Sequence, residues 1–345
     1  MADNGISTEG HVRFEGTSPI PPGGRRAPDM QLGKCKWVRI LDNIAYIVAG
    51  IILRESEDGS DIEMLLIQEA KTKVYGKWYF PAGHCEAGET IEDATKREVL
   101  EETGFQCQVD NLISLEVRGS GWYRFAFFCT ITGGSLKATA DKESLCAGWH
   151  SIQAIKSKSI PIRNSDFIKI MEEGVKFFKW KNSLGPSISD FPPVLTKHEN
   201  EKGLFVEFVI VKIGNTSDRT EVLVHQSIQD ETEILTRDDA FPTVEFGFEY
   251  FFPVMVSKCY KHILEDGSTA LDPPSAVSHL TCLPSPIESF QHGLRTRIIC
   301  YHKKTFSKSL INDPRRYHWI EIKDKRVLAS LQLVPKQFQP KLFLL

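Results

Sequence analysis

Three closely spaced glutamates are the residues of this chain best suited to chemistry. Glu98, Glu101 and Glu102 stand at positions i, i+3 and i+4, which share one face of a helix. Ile91 and Val99 lie around the same face, so we expect the carboxylates to point towards the protein body. Like charges so placed repel each other, and a divalent ion such as Mg²⁺ or Mn²⁺, bound through carboxylate oxygens, would offset that repulsion. The alternative is an ordinary solvent-exposed acidic helix.

A helix must hold these carboxylates, and the sequence marks both of its ends. Thr90 followed by Asp93 has the spacing of a capping box, which begins a helix. Gly104 fits the left-handed position that ends one. Between these ends, Arg97 carries the opposite charge and is expected to neutralise part of the acidic face.

The same stretch matches a known motif. From Gly83 to Phe105 the chain reads GHCEAGETIEDATKREVLEETGF, which is G-x5-E-x7-R-E-U-x-E-E-x-G-U with U apolar. This pattern is the signature box of the Nudix hydrolases, and an accidental match is expected in roughly one of 10⁷ chains of this length. The chain therefore resembles that family. The resemblance implies an α/β/α sandwich with a mixed sheet, and hydrolysis of a nucleoside diphosphate linked to another group with the help of divalent ions.

The resemblance assigns roles to residues of the box. Glu98 and Glu102 match the metal ligands, and Glu101 is expected as a third ligand, directly or through water, and as a catalytic group. A backbone oxygen of Ala82 or Gly83 would add to the ligand set. Bound ions would lower the pKa of a water molecule and stabilise charge on phosphoryl oxygens.

Further residues of the box are expected to support this set. Arg97 is predicted to act in catalysis by orienting Glu98 through a bidentate contact. Glu89 would support the same network from the start of the helix. Gly83 and Gly88 would let the loop come close to the ions.

Glu143 is the candidate for the general base. It lies outside the box, six residues before Trp149, and in MutT-type Nudix proteins a loop glutamate at similar spacing before a tryptophan is a metal ligand or base. Asp141 is its nearest competitor for proton abstraction. The alternative is that Glu143 is a surface glutamate without a catalytic role.

The substrate is expected from resemblance alone. Three segments are most similar to the animal Nudix hydrolases that act on 8-oxo-guanine nucleoside diphosphates, and they read IQEAKTKVYGKWYFPAGHCEAGE, VRGSGWYRFAFF and ESLCAGW. This similarity implies conversion of 8-oxo-dGDP, 8-oxo-GDP and related oxidised purine diphosphates to monophosphates. The alternatives are the same chemistry on an ADP-sugar, a dinucleoside polyphosphate or a coenzyme, and a nucleotide-binding or scaffold protein without activity.

Candidate substrate contacts follow from the same segments. Leu65, Trp78 and Phe80 could wall a base pocket by stacking or apolar contact, although apolar residues on strands more often belong to the core. His84 and Cys85 are expected in the loop beside the phosphates, where they would alter substrate preference.

Composition excludes several other classes of protein. The charged fraction is 25% and the formal net charge is -3, so no nucleic-acid polymer is expected as a partner. The chain has no run of 18 apolar residues and no signal-peptide core at its N-terminus, so no membrane association is expected. The eight cysteines include no CxxC pair. Cys107, Cys129, Cys146 and Cys300 have apolar, strand-like neighbours, which predicts buried thiols and a cytoplasmic location.

A length of 345 residues suits two domains. Residues 1–36 are rich in Gly, Pro and polar residues and are expected to lack fixed structure. Residues 37–181 should form the catalytic domain, with a closing helix over 164–180. Residues 182–202 have the Pro and Ser content of a linker. Residues 203–345 are predicted to form a degenerate Nudix-like domain without the metal box.

The second domain is predicted from a repeated order of elements. FVIVKI and EVLVHQ repeat the strand, turn, strand plan of IVAGIIL and EMLLIQ, and a duplication explains such matching order. The corresponding helix is expected over 248–264, with Glu249 before Glu265 and Pro253 in its path. The alternative is an unrelated α/β tail. The C-terminal half is expected either to cover the pocket or to form a homodimer.

Overall fold

The computed structural model describes residues 30–32, 40–184, 202–213, 219–225, 241–247, 250–283, 292–303, 311–314 and 316–345. Most of the expected linker over 182–202 therefore lies outside the described residues, as does most of the N-terminal segment. Met30–Gln31 is nevertheless a strand, β1, which pairs in parallel with residues 244–245. The expectation that 1–36 lacks fixed structure is wrong for these two residues, because a sheet edge supplies their backbone with partners.

The first half, residues 40–184, contains eight strands and three α-helices, together with a 3-10 turn at Thr72–Val74. In chain order they are β2 Ala45–Ile51, β3 Leu53–Glu55, β4 Ile62–Glu69, β5 Trp78–Tyr79, β6 Ala82–His84, α1 Ile91–Thr103, β7 Phe105–Arg118, β8 Trp122–Gly134, β9 Ser144–Ser151, α2 Ile152–Lys156 and α3 Asp166–Leu184. The start of α3 at Asp166 agrees with an N-cap at Ser165, one of the two candidates that the sequence offers with Asn164, and the helix extends beyond the predicted end at residue 180.

The second half continues with strands that resemble the first in order, and it has a 3-10 turn at Gly267–Thr269. Its described elements are β10 Gly203–Ile213, β11 Thr220–His225, β12 Thr243–Phe246, α4 Phe252–Ile263, β13 Ala276–Leu283, β14 Gly293–Tyr301, β15 Tyr317–Glu321, α5 Lys325–Ser330 and β16 Lys341–Leu344.

Helix α4 differs from its prediction. It begins at Phe252 rather than 248, and Pro253 lies in its first turn. A proline is tolerated there because the first helical N–H groups have no partner inside the helix. Pro253 therefore starts the helix instead of interrupting it. Glu249 lies outside the described residues, and α4 itself contains no acidic residue.

The strands of the described ranges form two sheets. One has twelve strands, with the path β1-β12-β10-β14-β13-β16-β7-β8-β2-β6 and with β11 and β15 beside it, and the other joins β3, β4, β5 and β9. In the long sheet β2 lies between β6, which is antiparallel to it, and β8, which is parallel. The sheet is therefore mixed, and α1 and α3 pack against it and against the second sheet. This is the mixed α/β sandwich that was expected.

The two halves share one sheet because the C-terminal strand lies between them. β16 pairs in parallel with residues 114–117 of β7, and Lys341 pairs with Ala276 of β13. One hydrophobic cluster likewise includes residues of both halves, such as Tyr46 and Phe125 from the first and Leu204 from the second. The halves are thus joined through backbone hydrogen bonds and through a common core.

The cysteines largely follow the prediction. Cys107, Cys129 and Cys300 are buried and free, whereas Cys146 is half-buried. Burial raises the pKa of the Cys300 thiol to about 12. None of the helices in the described ranges is long and apolar enough to cross a membrane.

Candidate active site

Helix α1 carries the acidic residues and has the two ends that the sequence predicts. The Thr90 hydroxyl accepts a hydrogen bond from the Asp93 N–H at 3.0 Å, and Gly104 has the left-handed φ of 79° at the C-terminal end. Ile91 and Val99 are buried against the sheet. The helix is therefore fixed at both ends and along one face.

Glu98 is the carboxylate held most closely by the loop. It is 9% exposed, and its carboxylate lies so close to Gly83 that a Cβ on this glycine would be 2.1 Å from Oε1. Burial raises the pKa of Glu98, against the hydrogen bond from Arg97. The contact explains why a glycine is needed here: any side chain would occupy the place of the carboxylate.

Glu102 is the second inward carboxylate. It is 2% exposed, and its Oε2 accepts a hydrogen bond from the Ala82 N–H at 2.8 Å. Burial raises its pKa to about 8, because this one hydrogen bond does not replace the lost water. Ala82 and Gly83 thus approach α1 by different means, one through its N–H group and the other through its missing side chain.

Arg97 binds the acidic residues together. Its Nε and Nη2 form a two-pronged contact with Glu89 at 2.6 and 3.0 Å, while Nη1 donates to Glu98 at 2.8 Å. The His84 carbonyl also accepts from Nη2. The hydrogen bond from Arg97 lowers the pKa of Glu89. Arg97 therefore orients Glu98 through a single bond, and the expected bidentate contact goes to Glu89 instead.

Glu101 does not share the inward face. Its side chain is 53% exposed, and it contacts Arg97 Nη1 at 3.2 Å. The expectation that all three carboxylates turn towards the protein body is wrong for Glu101, because a 100° rotation per residue places i+3 at the rim of the face. Its roles as metal ligand and catalytic group stay predictions.

The remaining carboxylates fit a hard divalent cation. Among the described residues, no three acidic, histidine or cysteine side chains gather to hold an ion unaided. Arg97 contacts one oxygen each of Glu98 and Glu101. Mg²⁺, however, commonly binds through one or two carboxylates and completes its shell with water and substrate phosphates. Two buried carboxylates, Glu98 and Glu102, provide such a set beside the backbone of residues 82–83.

Glu143 and Asp141 have different environments. Glu143 is 39% exposed, with its carboxylate 3.8 Å from Lys71 Nζ. Asp141 accepts hydrogen bonds from Lys137 and from the Glu143 and Ser144 N–H groups. The bond from Lys137 is the main reason that the pKa of Asp141 falls to about 2. Asp141 therefore holds the loop, and Glu143 keeps the freer carboxylate.

A cavity of about 310 Å³ opens beside Ala82 and Gly83. Four basic side chains line it, namely Lys71, Arg118, Arg124 and Arg163. Trp122 lies on its wall, and the guanidinium carbons of Arg118 and Arg124 are each 5.4 Å from the centre of its ring. Asp166, which also lines the cavity, accepts a hydrogen bond from Arg124 at 2.6 Å. The cavity suits an anion with an aromatic part.

The residues predicted to wall a base pocket lie elsewhere. Leu65 and Phe80 have no exposed surface and belong to hydrophobic clusters, because the middle of β4 and the residue that follows β5 face the core. This corrects the sequence interpretation of both residues. Trp78 is half-buried, with its ring centre 4.0 Å from that of His150. Cys85 is also core and not loop surface, and burial raises its pKa to about 12.

His84 is the loop residue that reaches the site. Its side chain is exposed and lines the cavity. Gly88 has a φ of 91°, which a residue with a side chain rarely adopts, so it serves the turn of the loop.

Sequence reasoning missed Glu69 and its partner. Glu69 is 2% exposed and accepts a hydrogen bond from Arg163 Nη1 at 2.6 Å, and its charge raises the pKa of Glu102 further. Arg163 lines the cavity. A signal existed, since glutamate at the end of an apolar strand needs a cation when buried, but the partner is 94 residues away.

Two buried carboxylates and a basic cavity border the same backbone at residues 82–83, an arrangement suited to hydrolysis of phosphoric anhydride bonds. The NUDIX domain model matches residues 46–169. A Caenorhabditis elegans protein with the provisional name nudix hydrolase 1 is 51% identical over 320 residues, which cover 93% of this chain and 86% of that protein. The chain belongs to the Nudix hydrolase family.

Two further similarities concern the first half. The 8-oxo-dGDP phosphatase NUDT18 of Mus musculus is 44% identical over 142 residues, which cover 41% of this chain and 42% of that protein. The match thus spans less than half of that relative's length. A solved NUDIX hydrolase from Nitrosomonas europaea has 30% identity, covers 38% of this chain and 87% of its own, and superposes with a TM-score of 0.33.

Proposed function

We propose that this chain hydrolyses oxidised purine nucleoside diphosphates, above all 8-oxo-dGDP and 8-oxo-GDP, to monophosphates with the help of a divalent cation. The proposal rests on one observation. The buried carboxylates of Glu98 and Glu102 contact the backbone of residues 82–83, and the same backbone borders a cavity lined by four basic side chains. The similarity to the 8-oxo-dGDP phosphatase of the mouse supports this choice of substrate.

The residues of α1 would have different roles in the site. Glu98 and Glu102 would hold Mg²⁺ or Mn²⁺, which when bound activates water and stabilises charge on the phosphoryl oxygens. Arg97 keeps Glu98 in one rotamer through Nη1 and is itself fixed by the two-pronged contact with Glu89. A pre-positioned carboxylate loses less conformational freedom when it binds an ion. Glu143 remains the candidate for the general base.

The cavity would take the nucleotide. Arg118 forms none of the ion pairs seen among the described residues, so its charge is available to a phosphate group. Lys71 has one long contact of 3.8 Å with Glu143 and can shift towards a diphosphate. Trp122 offers a flat face to a purine ring, and Asn164 at the rim has both a donor and an acceptor for its edge.

A nucleotide panel tests the proposal. Formation of the nucleoside monophosphate would be measured by chromatography with Mg²⁺ on 8-oxo-dGDP, 8-oxo-GDP, dGDP, 8-oxo-dGTP and ADP-ribose, since each of them yields one on hydrolysis. We expect the oxidised diphosphates to have the highest kcat/KM. Glu98→Gln should lose at least about 100-fold in kcat/KM, since it removes a ligand charge.

Glu92→Gln is the matched control, because Glu92 is an exposed glutamate on the same helix, and it should retain full activity. If Glu98→Gln hydrolysed the substrates as well as Glu92→Gln does, the metal assignment would fail. A higher kcat/KM for ADP-ribose than for both oxidised diphosphates would reject the substrate assignment.

A further inference from the structure

The second half repeats the strand register of the first, and not merely its order. β10 pairs antiparallel with β12 and parallel with β14, as β2 does with β6 and β8. β11 pairs antiparallel with β15, as β4 does with β9. In both halves a leucine of the first strand faces a tryptophan of the second, Leu65 with Trp149 and Leu223 with Trp319.

Helices α1 and α4 begin at corresponding positions in the two halves. The Pro81 carbonyl accepts a hydrogen bond from Gly50, and the Pro242 carbonyl accepts one from Phe208 at the same place in the second half. The pairing of β10 with β12 then makes Val244 the counterpart of Gly83. Helix α1 begins eight residues after Gly83, and α4 begins eight residues after Val244. The same distance from the strand to the helix in both halves is expected of a duplicated domain.

This register identifies the residues of α4 that correspond to the acidic residues of α1. The counterparts of Glu98, Glu101 and Glu102 are Cys259, His262 and Ile263. Cys259 and Ile263 are buried among apolar residues. Val244 puts a side chain where the first half needs the bare Cα of Gly83. This face of α4 has no carboxylate for a hard cation.

The start of α4 in the second half instead contacts the first half at the turn between β7 and β8. The ring of Phe251 lies 3.5 Å from where a Cβ of Gly119 would be, and the Phe252 N–H donates to the Gly119 carbonyl at 3.4 Å. This turn is flanked by Arg118 and Trp122, which both line the cavity. The start of α4 therefore packs against the hairpin that carries two of the cavity-lining residues.

Two other contacts from the second half support the same hairpin, one through Tyr46 of β2 and one directly along β7. His292 Nε2 and the Tyr46 hydroxyl are hydrogen-bonded at 2.5 Å across the halves, and the Tyr46 ring packs edge-on against Tyr123 and Phe125 of β8. On the other strand, β16 pairs along β7 and the Leu345 N–H donates to the Val117 carbonyl. The hairpin is thus held at its turn, on its face and along its edge.

We propose that the second half is a catalytically silent copy of the first that holds the β7–β8 turn, and so sets how tightly Arg118 and Trp122 engage the substrate. This inference rests on the proposed function for the identity of the cavity. Phe251 does not line the cavity. Its contact with Gly119 would instead hold the turn that carries Arg118 and Trp122. Phe251 is a positioning residue.

The test compares two exposed apolar residues at the start of α4. Phe251 is 60% exposed and Val254 is 44% exposed, so replacing either by alanine should leave the fold intact. We expect Phe251→Ala to raise KM for 8-oxo-dGDP about threefold to tenfold with kcat unchanged, and Val254→Ala to change neither. In an Arg118→Ala background, Phe251→Ala should add little further, since both changes would act on one contact.

Amide hydrogen exchange supplies a readout that does not depend on turnover. The amides of residues 118–122 should exchange about tenfold faster in Phe251→Ala than in Val254→Ala. Equal exchange in the two variants would overturn the inference, and so would faster exchange with an unchanged KM. If the wild type hydrolysed no nucleotide of the panel, the proposed function would fail, whereas the exchange comparison would still decide whether the copy holds the turn.

Discussion

The carboxylate of Glu98 lies directly against Gly83, so that a Cβ on this glycine would be 2.1 Å from Oε1. Gly83 is not among the glycines with a positive φ, and its requirement is therefore one of space. Gly83→Ala should displace Glu98 by about 1 Å and lower kcat/KM by about 100-fold, since misplacements of that size have such effects. Steady-state kinetics on the preferred substrate would measure the loss.

Gly133→Ala is the control for this substitution. A Cβ at Gly133 would meet Gln106 Oε1 at 3.1 Å, which is the end of a flexible side chain. We expect the activity of this variant to stay within twofold of the wild type. Equal losses in the two variants would show that the glycine at 83 has no special relation to Glu98.

Arg97→Lys should weaken the metal site without emptying it. Lysine keeps the charge but lacks the fork that contacts Glu89 while donating to Glu98. We expect the Mg²⁺ concentration for half-maximal rate to rise about 10- to 100-fold, the usual effect of losing a residue that orients a ligand. Arg54→Lys is the control, because Arg54 contacts Glu63 Oε2 through both Nε and Nη2 at 2.7 Å, away from the cavity. A shift of the same size in Arg54→Lys would rule out a specific effect.

The parts of the site that the sequence predicts correctly are local ones. The capping box and the glycine end of α1 both depend on residues within one helix and its loop. Their geometry follows from helix periodicity and hydrogen-bonding capacity. The second-half order of elements was predictable for the same reason, because each strand has its own alternation and turn.

The parts that were missed depend on distant neighbours. Leu65 and Phe80 are aromatic or apolar residues near the box, and no local pattern tells a pocket wall from a core position. The cavity instead takes Arg118 and Trp122 from one hairpin and Arg163 from a loop. Those residues meet through the pairing of β2 with β8 and the backbone hydrogen bonds of residues 161 and 163 with Trp78, which a single sequence does not specify.

Glu207 makes the stability of the second half depend on pH. It is fully buried, which by itself would raise its pKa, but the attraction of Arg297 and Arg295 outweighs burial and lowers the pKa to about 2. The folded state therefore binds fewer protons than the unfolded state between the two pKa values. Stability from this group is fully present above the unfolded pKa and is lost as pH falls towards 2.

Glu207→Gln tests this dependence. At neutral pH the variant should lose about 3–5 kcal/mol of unfolding free energy, since it leaves two buried arginines without their counter-charge. Its stability should also fall less than that of the wild type between pH 5 and pH 2, as urea denaturation at each pH would show. Glu221→Gln on β11, where the pairs with Lys212 and Arg219 are more exposed, should cost about 0–1 kcal/mol. A similar pH profile for wild type and Glu207→Gln would contradict the assignment.

Two leucines at the C-terminus test whether β16 holds the halves together. Leu342 is 5% exposed within the cluster that both halves share, whereas Leu345 is 44% exposed. Leu342→Ala should lower the unfolding free energy by about 2–5 kcal/mol, through lost burial and the cavity left between β7 and β13. Leu345→Ala should change it by less than about 0.5 kcal/mol. Both values would come from urea denaturation, and because the two variants delete the same atoms, their difference isolates burial. Equal losses would mean that β16 lies on the sheet without joining its halves.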